Sequence, residues 1–550
     1  MRLKLTPLLV FAVLLAGAGR RTPPDAIYTN ASIWTGVPGA ARAEAIAVLD
    51  GKIVAVGSAA RVAKLAGPAT RTIDLGGAFV VPGLIDTHTH FLSGGFQLAG
   101  VDLRRATSRE DFVRRLGEFA AKQPKGRWIN GGDWDHEAWG GELPRRDWID
   151  AVTPDNPVFV NRLDGHMALA NSRALELAGV TRDTKDPDGG LIVRDRSGEP
   201  TGILKDEAMP LVARVQPAPS EAEQDEALDR ALKHAASQGV TQVHHMGTWD
   251  DLAVFRRAAV RGALPLRAYA FVPLDTWPRL AELVRKEGRG DDRLRWGGLK
   301  GYVDGSLGST TAWFHEPYTD APNTSGLVVT DPARLASDIR KADAAGLQVA
   351  VHAIGDRAND WILDTFAHVE AANGPRDRRF RIEHAQHLSR AALPRFAALD
   401  VVASMQPYHA IDDGRWAEKR IGPERIRTTY AFRSLLDNKA RLAFGSDWTV
   451  APLSPLEGIY AAATRRTLDD RNPGGWVPDQ KITVEEALRA YTAGGAWAGF
   501  QEDRLGTLET GRLADFVVLG ADLFQIAPEE IRNVRVLRTV VGGRDVYTAP

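Results

Sequence analysis

Apolar and polar positions follow three different rhythms along this chain. From residue 25 to about 74 the pattern is one of short strands: Ala26-Ile27-Tyr28, Ala45-Ile46-Ala47-Val48, and Lys52-Ile53-Val54-Ala55-Val56 after an Asp50-Gly51 turn. Asp-Gly between two apolar runs favours a tight hairpin, because both turn positions need positive φ. The far end repeats this texture in Asp515-Phe516-Val517-Val518-Leu519 and 534–541, followed by Gly542-Gly543 and Asp545-Val546-Tyr547. Neither end has enough strands to bury a core alone. Together they predict one small β-sandwich, built from 25–76 and 503–550.

Between the ends, strand-like apolar runs alternate with amphipathic helical stretches such as 332–345 and 358–372, the rhythm of βα units. Eight runs qualify: 79–86, 240–244, 266–271, 298–303, 348–351, 379–382, 401–405 and 441–444. Eight such units predict an α/β fold, a (β/α)8 TIM barrel over 77–502, rather than an open doubly wound sheet. No glycine-rich phosphate-binding fingerprint follows the first strand. The gap after that strand is long, about 91–239, rich in turns and in tryptophan (Trp128, Trp134, Trp139, Trp148), with a hairpin-like stretch at 189–195. An insertion at that point belongs over the catalytic face of a barrel, as a structural lid or a specificity element.

Composition narrows the class. A chain of 550 residues has room for a large barrel and an accessory domain. With 44% hydrophobic and 25% charged residues it is a folding sequence and not a disordered one. A net charge of −1 argues against a nucleic-acid partner, which would call for a basic face. Arg2 and Lys4, the apolar run from Leu5 to Leu15 and the small residues Ala16-Gly17-Ala18 predict a signal peptide over 1–18, hence a periplasmic or secreted protein. The apolar run is too short for a stable membrane anchor. With 0 cysteines there is no disulfide, thiolate ligand, cysteine nucleophile or lipidated thiol. The expected partner is a small-molecule substrate; a homodimer stays open.

The chemistry sits at the strand ends. His88 and His90 close the first run, in Gly83-Leu84-Ile85-Asp86-Thr87-His88-Thr89-His90. Period 2 along an extended chain puts both imidazoles on one side, close enough to grip one ion. Lys300 lies in the fourth run, His352 ends the fifth, His384 the sixth, and Asp447 follows the eighth. Each has an ordinary reading alone: loop or core histidines, a lysine snorkelling to the rim, an aspartate capping a helix. Their convergence on matching ends of separate strands, where barrel catalysis takes place, is what the ordinary readings leave unexplained. Around them, Trp134, His166, Asp304, Gln406 and His409 are candidates for the substrate pocket, each with an equally good structural role. Asp86 reads as support for the histidines rather than a ligand. One of His244 and His245 is expected to face the pocket.

These segments, with Leu299-Lys300-Gly301-Tyr302-Val303-Asp304-Gly305-Ser306, Val351-His352-Ala353-Ile354-Gly355-Asp356, Ile382-Glu383-His384, Met405-Gln406-Pro407 and Gly445-Ser446-Asp447, resemble the amidohydrolase superfamily. Within it they are similar to the YtcJ-like branch that includes N-substituted formamide deformylase. The resemblance extends over nearly the whole chain after the N-terminal segment. It implies two divalent metal ions, zinc first with Mn²⁺ or Fe²⁺ as alternatives. His88, His90 and Asp447 would hold the inner ion, and His352 and His384 the outer one. Lys300 would bridge them as an Nζ-carbamate, since an ammonium has no lone pair to offer. The implied reaction is hydrolysis of a C–N bond in an amide-type small molecule, N-formyl or N-acyl, with Asp447 moving the proton. The same site suits an ester or lactone hydrolase or a deaminase. A catalytically retired periplasmic binding protein is the alternative of a different class.

Overall fold

The computed structural model describes residues 22–550 apart from Asp164, His166, Asp188 and Gly189. The expected signal peptide and the pocket candidate His166 therefore lie outside the described residues. Eight parallel strands form the central sheet: β1 (Leu84–Thr89), β2 (Val240–Met246), β3 (Arg267–Pro273), β4 (Leu294–Tyr302), β5 (Gln348–Ala353), β6 (Arg381–His384), β7 (Val402–Met405) and β8 (Arg441–Phe444). Each pairs in register with its sequence neighbour, and β1 pairs with β2. Just past their ends β1 and β8 meet through a parallel bridge between Thr89 and Trp448, which nearly closes the sheet into the expected barrel. Both faces are buried, so the strands read as near-continuous apolar runs. Outward-facing residues such as Val349, Val351 and Ile382 pack under the helices, while Met246, Tyr269, Phe271 and Ala350 fill the interior.

The sequence reading joined 79–86 into one strand, and the structure divides it. Phe79–Pro82 belongs to a different sheet, where it pairs antiparallel with Phe516–Leu519 and parallel with Ser32–Ile33. The break falls at Pro82-Gly83. Proline brings no N–H to continue a ladder, and a Cβ on Gly83 would stand 2.3 Å from Thr241 Oγ1, so only glycine lets the chain pass that close to β2. The N-terminal part of the sandwich consequently runs to Pro82 rather than stopping at 76.

That sandwich has two sheets. One orders Lys52–Gly57, Ala45–Leu49, Ala26–Thr29 and Arg71–Asp74; the other orders Ser32–Ile33, Phe79–Pro82, Phe516–Leu519, Val536–Val541 and Arg544–Thr548. Tyr28, Ile46, Val48 and Ile53 from the first pack on Val80, Phe516, Val518 and Val540 from the second. Tyr28 meets Phe516 edge to face at 4.8 Å. Asp50 and Gly51 both have positive φ, 50° and 73°, as the hairpin required.

The insertion folds around a six-stranded sheet ordered Gly190–Arg194, Pro200–Asp206, Met167–Ala170, Phe159–Arg162, Gly131–Trp134 and Val101–Asp102. Alternation divides its faces: Val160, Leu169 and Ile203 pack with Phe112 and Leu116, while Phe159, Ala168 and Leu204 pack with Leu175. Arg104 fastens it to the barrel, donating to the carbonyls of Thr449 and Val450 at 3.0 and 2.9 Å, two and three residues past Asp447.

A fully buried ion pair helps join the barrel to the C-terminal sheet. Arg267, at the start of β3, makes a bidentate contact with Asp515 at 2.6 and 2.8 Å, both side chains 3% exposed. Asp515 also accepts from the Gly542 amide at 2.7 Å. Asp515→Ala would leave a buried guanidinium without its counter-charge, a loss of about 3–5 kcal/mol. Urea denaturation of the purified variant is expected to show it; a loss below about 1 kcal/mol would mean that the pair does not anchor the two domains.

Candidate metal centre

The site grows from the seam between β1 and β8. The Asp447 amide donates to His88 O at 2.7 Å, and the His90 amide to Trp448 O at 2.5 Å. Asp86, fully buried one turn of the pleat earlier, accepts from the amides of His88 (3.2 Å) and Ser446 (2.9 Å). A Cβ on Gly445 would lie 2.5 Å from the His88 nitrogen, so glycine is required for this approach. Burial pushes the Asp86 carboxyl up to about 7, as suits a group kept for shape rather than charge. The seam carries Asp447 with φ 57°. A non-glycine residue held there costs on the order of 1–3 kcal/mol and persists where surrounding contacts enforce it.

Asp447 Oδ1 stands 3.3 Å from His90 Nε2 and 3.6 Å from His88 Nε2. His88 Nε2 is also 3.3 Å from Lys300 Nζ, a 4% exposed lysine on β4. The other His88 nitrogen, Nδ1, is 2.5 Å from Glu383 Oε2 on β6. Glu383 is held in turn by Arg381 Nε (2.7 Å) and Ser404 Oγ (2.7 Å), and Arg381 donates to Thr87 O at 2.6 Å and meets His244 Nδ1 at 2.9 Å. Although burial opposes ionisation, Arg381 and His88 keep Glu383 far below the usual carboxylate range. A carboxylate on Nδ1 makes that nitrogen the N–H donor and leaves the Nε2 lone pair facing Lys300 and Asp447.

The remaining histidines arrive from the next strands. By alternation Arg381 and Glu383 face the interior, and His384 would face outward. A left-handed turn at His384 (φ 75°) and Ala385 (φ 43°) brings it round to the mouth. There its Nδ1 is 2.8 Å from Gln406 Oε1 and 4.0 Å from Asp447 Oδ2. His352 packs against His384 with ring centroids 4.5 Å apart, and its Nε2 meets Gly305 O at 3.0 Å. Burial and the Lys300 charge lower His88 to about 4 and His352 to about 3; burial and His352 also hold His384 well below its ordinary value. All three imidazoles are neutral at pH 7, the form that offers a lone pair. Although burial opposes ionisation, Asp447 is kept well below the usual carboxylate range, with His90 Nε2 3.3 Å from its Oδ1.

This donor set fits divalent cations. His88, His90 and Asp447 form one trio and His384, His409 and Asp447 another, each offering three ligand atoms within 4.8 Å of one another. Three such donors around a zinc-sized ion stand ~3.4 Å apart. His409 Nε2 is buried with no hydrogen-bond partner, which fits an atom of a donor set.

Other sequence expectations resolve differently. Trp134 does not line a pocket: it is fully buried in the core of the insertion, and its indole N–H donates to Val160 O at 3.0 Å. Asp304 accepts from the amides of Trp313, Ile354 and Gly355 at 2.8–3.0 Å, so it pins the loop after β4 to the end of β5. Gln406 spends its carbonyl oxygen on His384. His409 lies beside His384, ring planes 13° apart. Neither His244 nor His245 faces the pocket: the first meets Arg381 and Gln242, and the second accepts from the Phe91 amide and pairs with Asp251. Glu383 and Arg381 are the functional residues that motif reading passed over. Their signal was an Arg and a Glu two apart, on one face of a wholly buried strand.

Histidines, an aspartate and a lysine gathered at the C-terminal ends of barrel strands define a metal-dependent hydrolase site. The chain belongs to the amidohydrolase family, whose model matches residues 71–547. It is 44% identical over 544 residues to the protein LONG AFTER FAR-RED 3 of Arabidopsis thaliana, covering 96% of this chain and 93% of that protein. It is 29% identical to N-substituted formamide deformylase of Arthrobacter pascens, over 94% of this chain and 97% of the relative. Among solved structures, an uncharacterized metal-dependent hydrolase from Pyrococcus horikoshii superposes with a TM-score of 0.77 at 31% identity, over 92% of this chain and 99% of that one.

Glu383→Gln keeps the shape but offers His88 Nδ1 an amide in place of a carboxylate. Zinc affinity, read by competition with a chromophoric chelator, should fall about 10- to 100-fold with the fold intact. Unchanged affinity would reduce Glu383 to a packing residue.

Proposed function

We propose that this protein hydrolyses a C–N bond in an amide-type small molecule, of the N-formyl or N-acyl class, with two divalent cations, zinc foremost. The observation that carries the reading is the trio of His88, His90 and Asp447 at the barrel mouth, with Lys300 and His384 beside it. The likeness to N-substituted formamide deformylase supports the choice of bond.

When bound, such cations acidify a water and polarise a carbonyl. His88 and His90 with Asp447 would hold one, and His352 and His384 the other. Lys300 would join them as a carbamate, formed when its neutral amine adds CO₂ and releases a proton. Its buried Nζ beside His88 Nε2 supports that role, because an ammonium there has nothing to give a cation.

The protein's own residues divide the remaining work. Asp447 takes the proton of the attacking water on its carboxylate and returns it to the leaving nitrogen. Glu383 orients His88, and Gln406 orients His384. The insertion, fastened beside Asp447 through Arg104, limits water at the mouth and shapes the substrate's far end. The N-terminal segment, with its basic start and short apolar run, supports action outside the cytoplasm.

The test is a screen of zinc- and manganese-loaded enzyme on N-formyl, N-acetyl and N-acyl amine and amino-acid panels. Ester, lactone and deaminase substrates run alongside. Turnover of at least one amide series, abolished by chelation and restored by metal, is expected. Asp447→Asn should lose about 10²–10⁴ in kcat on that substrate. Turnover of esters or amidines alone would overturn the amide assignment, and inactivity of a fully metal-loaded protein on every class would overturn the enzyme reading.

A further inference from the structure

His409 lies in the short helix Pro407–Asp413 that follows β7, at the mouth of the barrel beside His384. One of its ring nitrogens lies within 4.8 Å of ligand atoms on both His384 and Asp447. Three donors this closely spaced can share one cation. His409 Nε2 is buried and has no hydrogen-bond partner. A buried nitrogen left without a partner is unfavourable, and Gln406, three residues earlier, is engaged with His384 instead. Arg104 of the insertion, whose charge reaches His409, is engaged with the carbonyls of Thr449 and Val450. His352, by contrast, belongs to neither three-residue group among the described residues, and its Nε2 meets Gly305 O at 3.0 Å.

We propose that His409 is a metal ligand, completing with His384 and Asp447 the site of the second cation, so that Asp447 serves both cations. This rests on the metal-dependent reading above and changes its ligand set: a histidine from the helix after β7 joins the centre, and Asp447 links its two halves. His352 then stands at the rim of the second position rather than alone with His384. Imidazole and carboxylate donors in this number suit Zn²⁺ or Co²⁺ better than Mg²⁺, which prefers oxygen.

Chelator-stripped parent and His409→Phe, which keeps a ring but removes both nitrogens, are titrated with Co²⁺. Visible absorption and equilibrium dialysis report the result. The parent should bind two ions. The variant should bind one as the parent does and the second about tenfold or more weakly, with a matching loss of absorbance. Two ions bound with parental affinities by the variant would overturn the proposal and leave the hydrolase reading standing. A parent that binds no Co²⁺ would overturn that reading as well. If the variant does not fold, anomalous diffraction from zinc-soaked crystals of the parent decides the question. An ion about 2.0–2.2 Å from a His409 nitrogen upholds the assignment, and two ions both beyond about 3 Å from it refute it.

Discussion

A barrel of parallel strands has to close, and here closure runs through the backbone shared by the ends of β1 and β8. The amide of Asp447 on the carbonyl of His88, and that of His90 on the carbonyl of Trp448, are at once the last rungs of the sheet and the frame of the site. Asp86 ties both sides with one oxygen, and Gly445 lets them approach. Because Asp447 is set in a left-handed conformation by this seam, its carboxylate faces His88 and His90 together. Loosening the seam would therefore open the barrel and scatter the donors in one event, which makes stability and function here a single problem.

Below the seam, charge is handled by a buried chain running from His88 through Glu383 to Arg381 and on to His244, Gln242 and Gln501. A carboxylate and a guanidinium this deep are expensive to desolvate, and they are retained only with every partner in place. The return is control of one tautomer. His88 is compelled to donate from Nδ1 and to present Nε2 upward, and the surrounding burial keeps its neighbours neutral. The mouth thus holds unprotonated nitrogens around one ionised aspartate, a set of electron pairs with too few positive charges to satisfy them.

Much of this was legible in the sequence, for identifiable reasons. The eight strands showed because fully buried parallel strands must be apolar for several residues, and polar interruptions at their ends stand out: His88, Lys300, His352, His384 and Asp447. The boundary at Pro82-Gly83 did not show, since the strands on either side are equally apolar and only their pairing partners differ. Trp134 could not be assigned because a tryptophan suits a core and a pocket equally well. Gln406 and Asp304 looked like substrate contacts, but whether an amide or carboxylate faces outward or braces its neighbours depends on loop geometry. His384 has the wrong parity for the interior until its positive φ is known. Glu383 was the readable omission, two residues after Arg381 on one face of a buried strand.

If the donors at the seam are a centre built for cations, binding a cation must stabilise the closed barrel itself, by an amount that grows with the logarithm of free metal. Differential scanning calorimetry of chelator-stripped protein across a range of free Zn²⁺ measures this directly. The unfolding midpoint should climb steadily once zinc exceeds its dissociation constant, and Mg²⁺ at the same concentrations should move it far less. A midpoint indifferent to zinc over several decades would contradict the account.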